Sequence, residues 1–364
     1  MKTGVLLINL GSPDSPSVKD VRKYLYQFFS DPFVTDVHSC IRFLLVNFFI
    51  VPFYASKSAK MYKHIWTSEG FPLIVHGKKL KDILQKKLNY ITPDISYQGS
   101  KDEYIVEIGM RYQNPGIEPA LQNLKKENVN EIIVLPLYPQ YTSATTKSSV
   151  EEVKCVMKKI NFSCKTKIIK NFSDNPAFID AWVDVSEKYN LKEYDYFIFS
   201  YHGLPEQQIF KTCKEMQTND NEKKITPCLS IHDCETRNRT PETKNIFCYR
   251  AACYETTRQL VKRLNISEGK YITSFQSRFS GKWLTPYTNE IIQKKAKENI
   301  KKILVFSPYF VADCLETIYE ISVKYNNLFK KHGGKKLQLA ESLNENDKWI
   351  ECLIKLIKNH SHCD

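Results

Sequence analysis

Tyr196-Phe197-Ile198-Phe199-Ser200-Tyr201-His202-Gly203-Leu204-Pro205 is the stretch on which the fold turns. Its first six residues are aromatic or β-branched with one serine, too short and too uniformly apolar for an amphipathic helix. Glycine and proline close it. Such a run reads as a strand buried on both faces, the signature of a parallel sheet. The same pattern recurs at Val5 to Asn9, Ile105 to Met110, Ile132 to Leu137, Lys167 to Lys170, Tyr271 to Phe275 and Ile303 to Phe306. Helical periodicity fills the intervals near 17–30, 75–89, 116–126, 147–159, 176–189, 254–264, 288–299, 314–330 and 343–358. Short buried strands alternating with longer helices predict an α/β protein, with parallel sheets flanked by helices. The strands form two groups, before and after about residue 175. The chain therefore reads as two doubly wound halves, 1–175 and 176–330, with an extension, 331–364, packing back on the fold.

Ligands of doubly wound sheets bind beyond the carboxyl ends of the strands. That directs attention to Gly11-Ser12-Pro13, Tyr138-Pro139-Gln140-Tyr141, His202-Gly203 and the residues from Tyr309 onward. His202 closes a strand on a tight turn, where an imidazole can ligate a divalent metal or move a proton; it can equally bond the backbone of the turn. After Ile303 to Phe306 come Asp313, Glu316 and Glu320, three and four apart, which on an α-helix form one stripe. Leu315, Ile318 and Ile321 would then pack on the sheet. The acids suit a helix N-terminus for electrostatic reasons alone. Set opposite His202, they also suit a carboxylate relay, with Glu316 at the metal or the proton and Glu320 passing it outward.

Two stretches break the rhythm. Residues 41–53 (IRFLLVNFFIVPF) are very apolar but hold Arg42, Asn47 and Pro52, and fall short of the roughly 20 apolar residues of a spanning helix. Two readings stay open: a core helix, or an exposed lip over a planar ligand that touches a membrane surface. Residues 213–253 are polar, aperiodic and carry five of the eleven cysteines, so they read as an insertion. An odd count of eleven with no secretory leader ahead of Val5 points to a cytoplasmic protein with metal or cluster chemistry rather than disulfides. The net charge of +13 is spread along the chain, and no recognition motif for nucleic acid accompanies it.

Taken in order, Leu6-Leu7-Ile8-Asn9-Leu10-Gly11-Ser12-Pro13, Tyr62 with Ile65-Trp66, Met110-Arg111-Tyr112, Leu135-Pro136-Leu137-Tyr138-Pro139-Gln140-Tyr141, Ser200-Tyr201-His202-Gly203-Leu204-Pro205, Phe275-Gln276-Ser277-Arg278 and Asp313-Cys314-Leu315-Glu316-Thr317 resemble the ferrochelatases. The ordered set spans residue 5 to about residue 340. The resemblance implies two Rossmann-like, chelatase-type halves with a porphyrin cleft between them. It implies ferrous iron and protoporphyrin IX as substrates and protohaem as product. His202 and Glu316 become the pair that handles metal and protons, with Asp313 and Glu320 extending the acidic path. Ser12, Arg111 and Tyr112 become substrate-binding residues, the guanidinium facing a propionate. The 41–53 stretch becomes the porphyrin lip, giving a cytoplasmic enzyme with peripheral contact at the inner membrane. A sensor that keeps this fold and binds haem or an iron–sulfur cluster without turnover is the alternative.

Three features depart from the family pattern. Cys314 stands where many members have histidine, Ser68-Glu69-Gly70-Phe71-Pro72-Leu73 replaces a Gly-Gly-Ser-Pro-Leu turn, and the loop from Gln276 to Trp283 is one residue short. Cys228, Cys234, Cys248 and Cys253 follow a C-x5-C-x13-C-x4-C spacing, with Cys213 to spare. Four thiolates suit a [2Fe–2S] cluster or a structural zinc, and free thiols remain open. Some ferrochelatases carry a [2Fe–2S] cluster. The animal arrangement is excluded, because Ser143 occupies its mid-chain position and the tail holds only Cys352 and Cys363. The insertion is similar to that of bacterial members with an internal cluster.

Overall fold

The computed structural model describes residues 1–90, 103–218, 248–279 and 281–361; the side chains of 213–218 lie outside it. The chain divides into two units. The first comprises Met1–Tyr138, Ser143–Lys170 and Asn344–Asp364, the second Pro139–Thr142 and Asn171–Leu343.

In the first unit, β1 (Lys2–Gly11) is followed by α1 (Val18–Ser30), α2 (Ser39–Ile65), α3 (Pro72–Tyr90), β2 (Glu103–Tyr112), α4 (Ile117–Lys126), β3 (Glu131–Pro136), a π-helical turn (Ser143–Lys147) running into α5 (Ser148–Lys159), and β4 (Lys165–Ile168). All four strands are parallel, in the order β2-β1-β3-β4. Val5, Leu6, Leu7 and Ile8 are wholly buried, as expected of a central strand covered on both faces. On one face Leu6, Ile8, Ile132 and Val134 pack against Leu121 and Leu124 of α4 and Val153 and Val156 of α5. Ser17 caps α1 by accepting from the Asp20 amide at 3.1 Å, which satisfies one of the helix's free donors.

The second unit repeats the plan. It runs through α6 (Pro176–Ser186), β5 (Tyr196–His202), α7 (Glu206–Thr218), α8 (Tyr249–Arg263), β6 (Tyr271–Gln276), α9 (Thr288–Lys297), β7 (Lys302–Phe306), a π-helix (Leu315–Tyr325), α10 (Asn326–Lys331) and β8 (Lys336–Leu339). Its sheet has the order β6-β5-β7-β8, again all parallel. Ile198, Ile303 and Val305 pack against Ile292 of α9 and against Ile321, Tyr325 and Phe329.

Both orders reverse direction at the first strand, so each sheet has a switch point: between β1 and β3 in one, and between β5 and β7 in the other. Crossovers leave that point in opposite directions and open a crevice beyond the carboxyl ends.

The predicted extension 331–364 splits in two. Residues 336–339 form the edge strand β8 of the second sheet. Only the last helix, α11 (Asp347–Ser361), belongs with the first unit. There His76 Nδ1 meets Glu345 at 3.0 Å, and the Tyr104 hydroxyl donates to Ser361 at 3.2 Å.

The apolar 41–53 stretch is not a core helix. It belongs to the 27-residue α2, which by length and composition alone is long and apolar enough to cross a membrane, although the 41–53 run by itself falls short. One stripe of α2 (Val46, Ile50, Val51, Ala55, Ala59, Tyr62, Ile65) is buried in the first unit, while Phe43, Phe48, Phe49 and Phe53 stand out, Phe53 being 73% exposed. A π-helical segment, Leu45–Ile50, lies within it.

Candidate active site

The second switch point is where the predicted chemistry lies. β5 ends on His202, opposite Gln276 at the end of β6. The chain turns at once on Gly203, whose amide donates to the Gln276 carbonyl at 2.8 Å. A Cβ at residue 203 would sit 2.7 Å from that carbonyl oxygen and 3.2 Å from the Trp283 ring, so only glycine fits this approach. His202 is half-buried. Its Nδ1 is 2.6 Å from the Gly203 carbonyl oxygen. A carbonyl only accepts, so Nδ1 carries a proton and Nε2 stands outside that bond. Tyr309 and Phe310 bring their rings to 6.3 Å from the imidazole, and Tyr249 donates to the His202 carbonyl at 2.7 Å.

β7 leads through residues 307–313 to the π-helix Leu315–Tyr325, capped by Cys314. The five-residue hydrogen-bond spacing changes which face meets the sheet. Thr317, Ile321 and Tyr325 are the buried positions; Leu315 and Ile318, predicted from α-helical spacing, are only half-buried. Asp313 precedes the cap and leaves the acidic stripe. Its Oδ1 accepts from the Thr317 hydroxyl at 3.2 Å and the Ser342 amide at 3.4 Å. Asp313 therefore pins the start of the helix rather than continuing a row of acids.

Glu316 and Glu320 are joined to the end of β5 through one side chain. Gln276, 1% exposed, accepts from the Ser200 hydroxyl at 2.7 Å. Its Nε2 donates to the Glu316 carbonyl at 2.8 Å and to Glu320 Oε2 at 3.2 Å. Ser277 also donates to Glu320 Oε2, while Tyr325 and Lys324 reach Oε1 at 3.0 and 3.3 Å. Burial first, and then the Glu320 charge, push the Tyr325 hydroxyl far above its ordinary range, so it remains a donor. Glu320 also lines a surface pocket of about 520 Å³ with Arg278, Lys324 and Lys331. Burial, then the Glu316 carboxylate, hold the Cys314 thiol protonated. This chain therefore sets a neutral thiol beside Glu316. Gln276 was quoted in the sequence motif but not assigned to the site; a polar residue closing a buried strand was the signal for it.

The first switch point is different. Gly11 ends β1 at φ 94°, and a Cβ there would lie 2.0 Å from the Tyr112 carbonyl oxygen. Ser12 follows it, buried, with its hydroxyl on the Pro13 carbonyl at 3.2 Å. Arg111 does not offer a free guanidinium to a propionate as expected. Its Nη2 meets Asp31 at 2.7 Å, its Nε donates to Ser148 at 2.7 Å, and Nη1 lies 3.5 Å from Glu152. Tyr112 donates to the same Asp31 carboxylate at 2.8 Å, and Ser148 donates to it at 2.5 Å. Asp31 is 4% exposed. A buried carboxylate needs this many donors, and that demand consumes the arginine.

Of the four insertion cysteines, Cys228 and Cys234 lie outside the described residues. Cys248 caps α8 and Cys253 lies in its second turn, both buried. Among the described residues no three His, Cys, Asp or Glu side chains are gathered as a metal site.

The ferrochelatase family profile matches residues 2–361. The chain belongs to the ferrochelatase family. A family member from Coxiella burnetii, strain CbuK_Q154, is 39% identical over 360 residues, covering 98% of this chain and 93% of its own. Ferrochelatases from Legionella pneumophila, strain Paris, and Bdellovibrio bacteriovorus are 37% and 36% identical, each covering 98% of this chain and 99% of its own. Among solved structures, SirB from Bacillus subtilis with Fe3+ aligns with TM-score 0.50 at 11% identity, over 100% of this chain and 96% of its own, a likeness of fold alone. The chelatase fold expected of the family is thus the fold observed.

Proposed function

We propose that this chain is a protohaem-forming ferrochelatase, a lyase that inserts ferrous iron into protoporphyrin IX. The observation that carries the reading is His202 at a switch point, its Nε2 outside the bond to Gly203, with the Glu316 backbone carbonyl and the Glu320 carboxylate tied to the same strand end through Gln276. Insertion exchanges two pyrrole protons for one Fe2+, so the site must take up two protons and hold iron only weakly. A neutral imidazole nitrogen and a carboxylate do both, whereas a closed thiolate cage would retain the metal. His202 and Glu316 contact iron and the pyrrole protons, and Glu320 carries protons to the surface pocket. Asp313 orients the π-helix. In the first unit Arg111 and Tyr112 hold the buried Asp31. The test is an anaerobic assay with ferrous iron and protoporphyrin IX, followed by the porphyrin spectrum. His202→Ala and Glu316→Ala should each lose turnover while remaining folded. Near-normal rates in both would overturn the assignment.

A [2Fe–2S] cluster on Cys228, Cys234, Cys248 and Cys253 is a second part of the proposal. Cys248 fits a thiolate, because it sits at the N-terminus of the 15-residue α8, where the helix dipole favours negative charge, and Cys253 follows in the second turn of that helix. When bound, the cluster supplies a structural clip or a redox-responsive group. Iron and acid-labile sulfide in equal amounts, lost in Cys248→Ser, would support it; zinc in their place would refute it. The third part is location: the exposed phenylalanines of α2 rest on the cytoplasmic face of the inner membrane, close to an apolar substrate.

A further inference from the structure

The groove beside α2 has a chemistry that the apolar lip alone does not explain. On α1, Lys19, Arg22, Lys23 and Tyr26 fall at i, i+3, i+4 and i+7, one exposed stripe opposite the buried Val21, Tyr24 and Leu25. With Asn47, Val51 and Pro52 of α2 they line a groove of about 530 Å³. One wall carries three cations; the other is the flank of a helix that exposes Phe43, Phe48, Phe49 and Phe53. The ion pair found there is Lys23 with Asp14 at 3.3 Å. The α2 region is biased in the same sense. From Val37 to Ser68 the sequence has no acid, but it carries Arg42, Lys57, Lys60 and Lys63.

Cations beside an apolar ridge, with acids kept away over 32 residues (37–68), match an amphiphile with a negative head and an apolar body. We propose that the groove holds the headgroup of an anionic phospholipid, so that α1 and α2 together dock the chain on negatively charged bilayers. Lys19, Arg22 and Lys23 bind the phosphate, and the phenylalanines enter the acyl boundary. The orientation follows. The buried stripe of α2 keeps that helix on the protein surface, lying along the interface rather than across it. The inference rests on the proposed membrane contact and adds its lipid selectivity.

The experiment is flotation of the full chain with vesicles of phosphatidylcholine alone, or mixed with phosphatidylglycerol. The wild type should bind the mixed vesicles at least tenfold more tightly, given about fivefold per cation near an anionic surface. The triple variant Lys19→Gln, Arg22→Gln, Lys23→Gln should lose this preference and keep its weak binding to neutral vesicles, with an unchanged melting temperature. A control, Lys262→Gln, Lys294→Gln, Lys297→Gln, removes the same charge from exposed positions of the second unit and should keep the preference. Equal losses in both variants would mean that overall charge is responsible and would overturn the proposal. So would displacement by inorganic phosphate, but not by chloride of equal ionic strength, which would assign the groove to free phosphate. Neutral binding without any anionic preference would sink the headgroup site and leave the apolar contact standing. Binding to neither vesicle would sink both.

Discussion

The two sheets have the same strand order and the same kind of switch point, yet their carboxyl ends hold opposite arrangements of polar groups. At the first, Asp31, Arg111, Tyr112 and Ser148 satisfy one another, and the guanidinium has three partners. At the second, the bond to Gly203 occupies only one imidazole nitrogen of His202, and Glu320, with four donors of its own, still opens on a surface pocket. Topology makes two crevices; saturation decides which can react. A polar group with every valence used stabilises the fold, and one with a lone pair left over can take a proton or a metal.

The largest effect that can break this contrast is on turnover. Replacing His202 or Glu316 by alanine should lower kcat by on the order of 10²–10⁴-fold, the usual range for a general acid or base, with the melting temperature almost unchanged. Arg111→Ala should do the reverse. It strands the buried Asp31 charge and should cost about 3 kcal/mol of stability in denaturant titration, while the folded fraction keeps near-normal kcat. A large loss of kcat in stable Arg111→Ala protein would return the arginine to the substrate.

Gln276 sharpens the contrast because it works by position alone. Gln276→Leu keeps the volume but takes one donor from Glu320 and one acceptor from the Ser200 hydroxyl. We expect kcat to fall about tenfold with KM for iron and porphyrin little changed, and stability to drop by about 1–3 kcal/mol. Gln276→Glu should be worse than leucine, because a second carboxylate would face Glu320. A leucine variant that loses stability but keeps full kcat would reduce Gln276 to packing.

Much of this was legible in the sequence. Six of the eight described strands announce themselves as apolar runs, β4 overlaps its expected run at 167–170 by two residues, and the turn after His202 follows from Gly203 and Pro205. β8 escaped because Lys-Leu-Gln-Leu at a sheet edge buries only part of its length, and an alternation of four residues is too short to stand out from the polar residues before it. The π-helix was unreadable, since its wider turn differs from an α-helix in hydrogen bonding and not in composition. Asp313 left the acidic stripe because the helix begins only after it, at Leu315. The fate of Arg111 depends on Asp31, 80 residues away, which no local pattern reveals. The 41–53 stretch was ambiguous because core and lip need the same residues; only the exposure of its phenylalanines separates them.

The smallest effect concerns the two buried phenols, one at each switch point. Burial first, then Asp31, raise the Tyr112 hydroxyl well above the ordinary value of 10.0; burial, then Glu320, do the same for Tyr325. Below pH 10 the phenol is protonated in both folded and unfolded chains, so its full contribution to stability is present. Above pH 10 the unfolded chain sheds the proton and the folded chain does not, so each phenol costs about 1.4 kcal/mol of stability per pH unit. Tyr112→Phe and Tyr325→Phe should each make the alkaline decline shallower by one proton, read from denaturant midpoints above pH 10. At neutral pH each loses one hydrogen bond to a carboxylate, a cost of about 1.5–3 kcal/mol in a buried site and less where other donors close in. The difference between the halves then appears in turnover. Tyr112→Phe removes one of several donors to a carboxylate that holds structure, and should leave kcat unchanged. Tyr325→Phe removes a donor from Glu320 and alters how readily that carboxylate takes and releases a proton, so it should shift the pH profile of kcat. Identical pH profiles for the two variants would mean that Glu320 is as structural as Asp31, and the contrast between the two switch points would then rest on His202 and Glu316 alone.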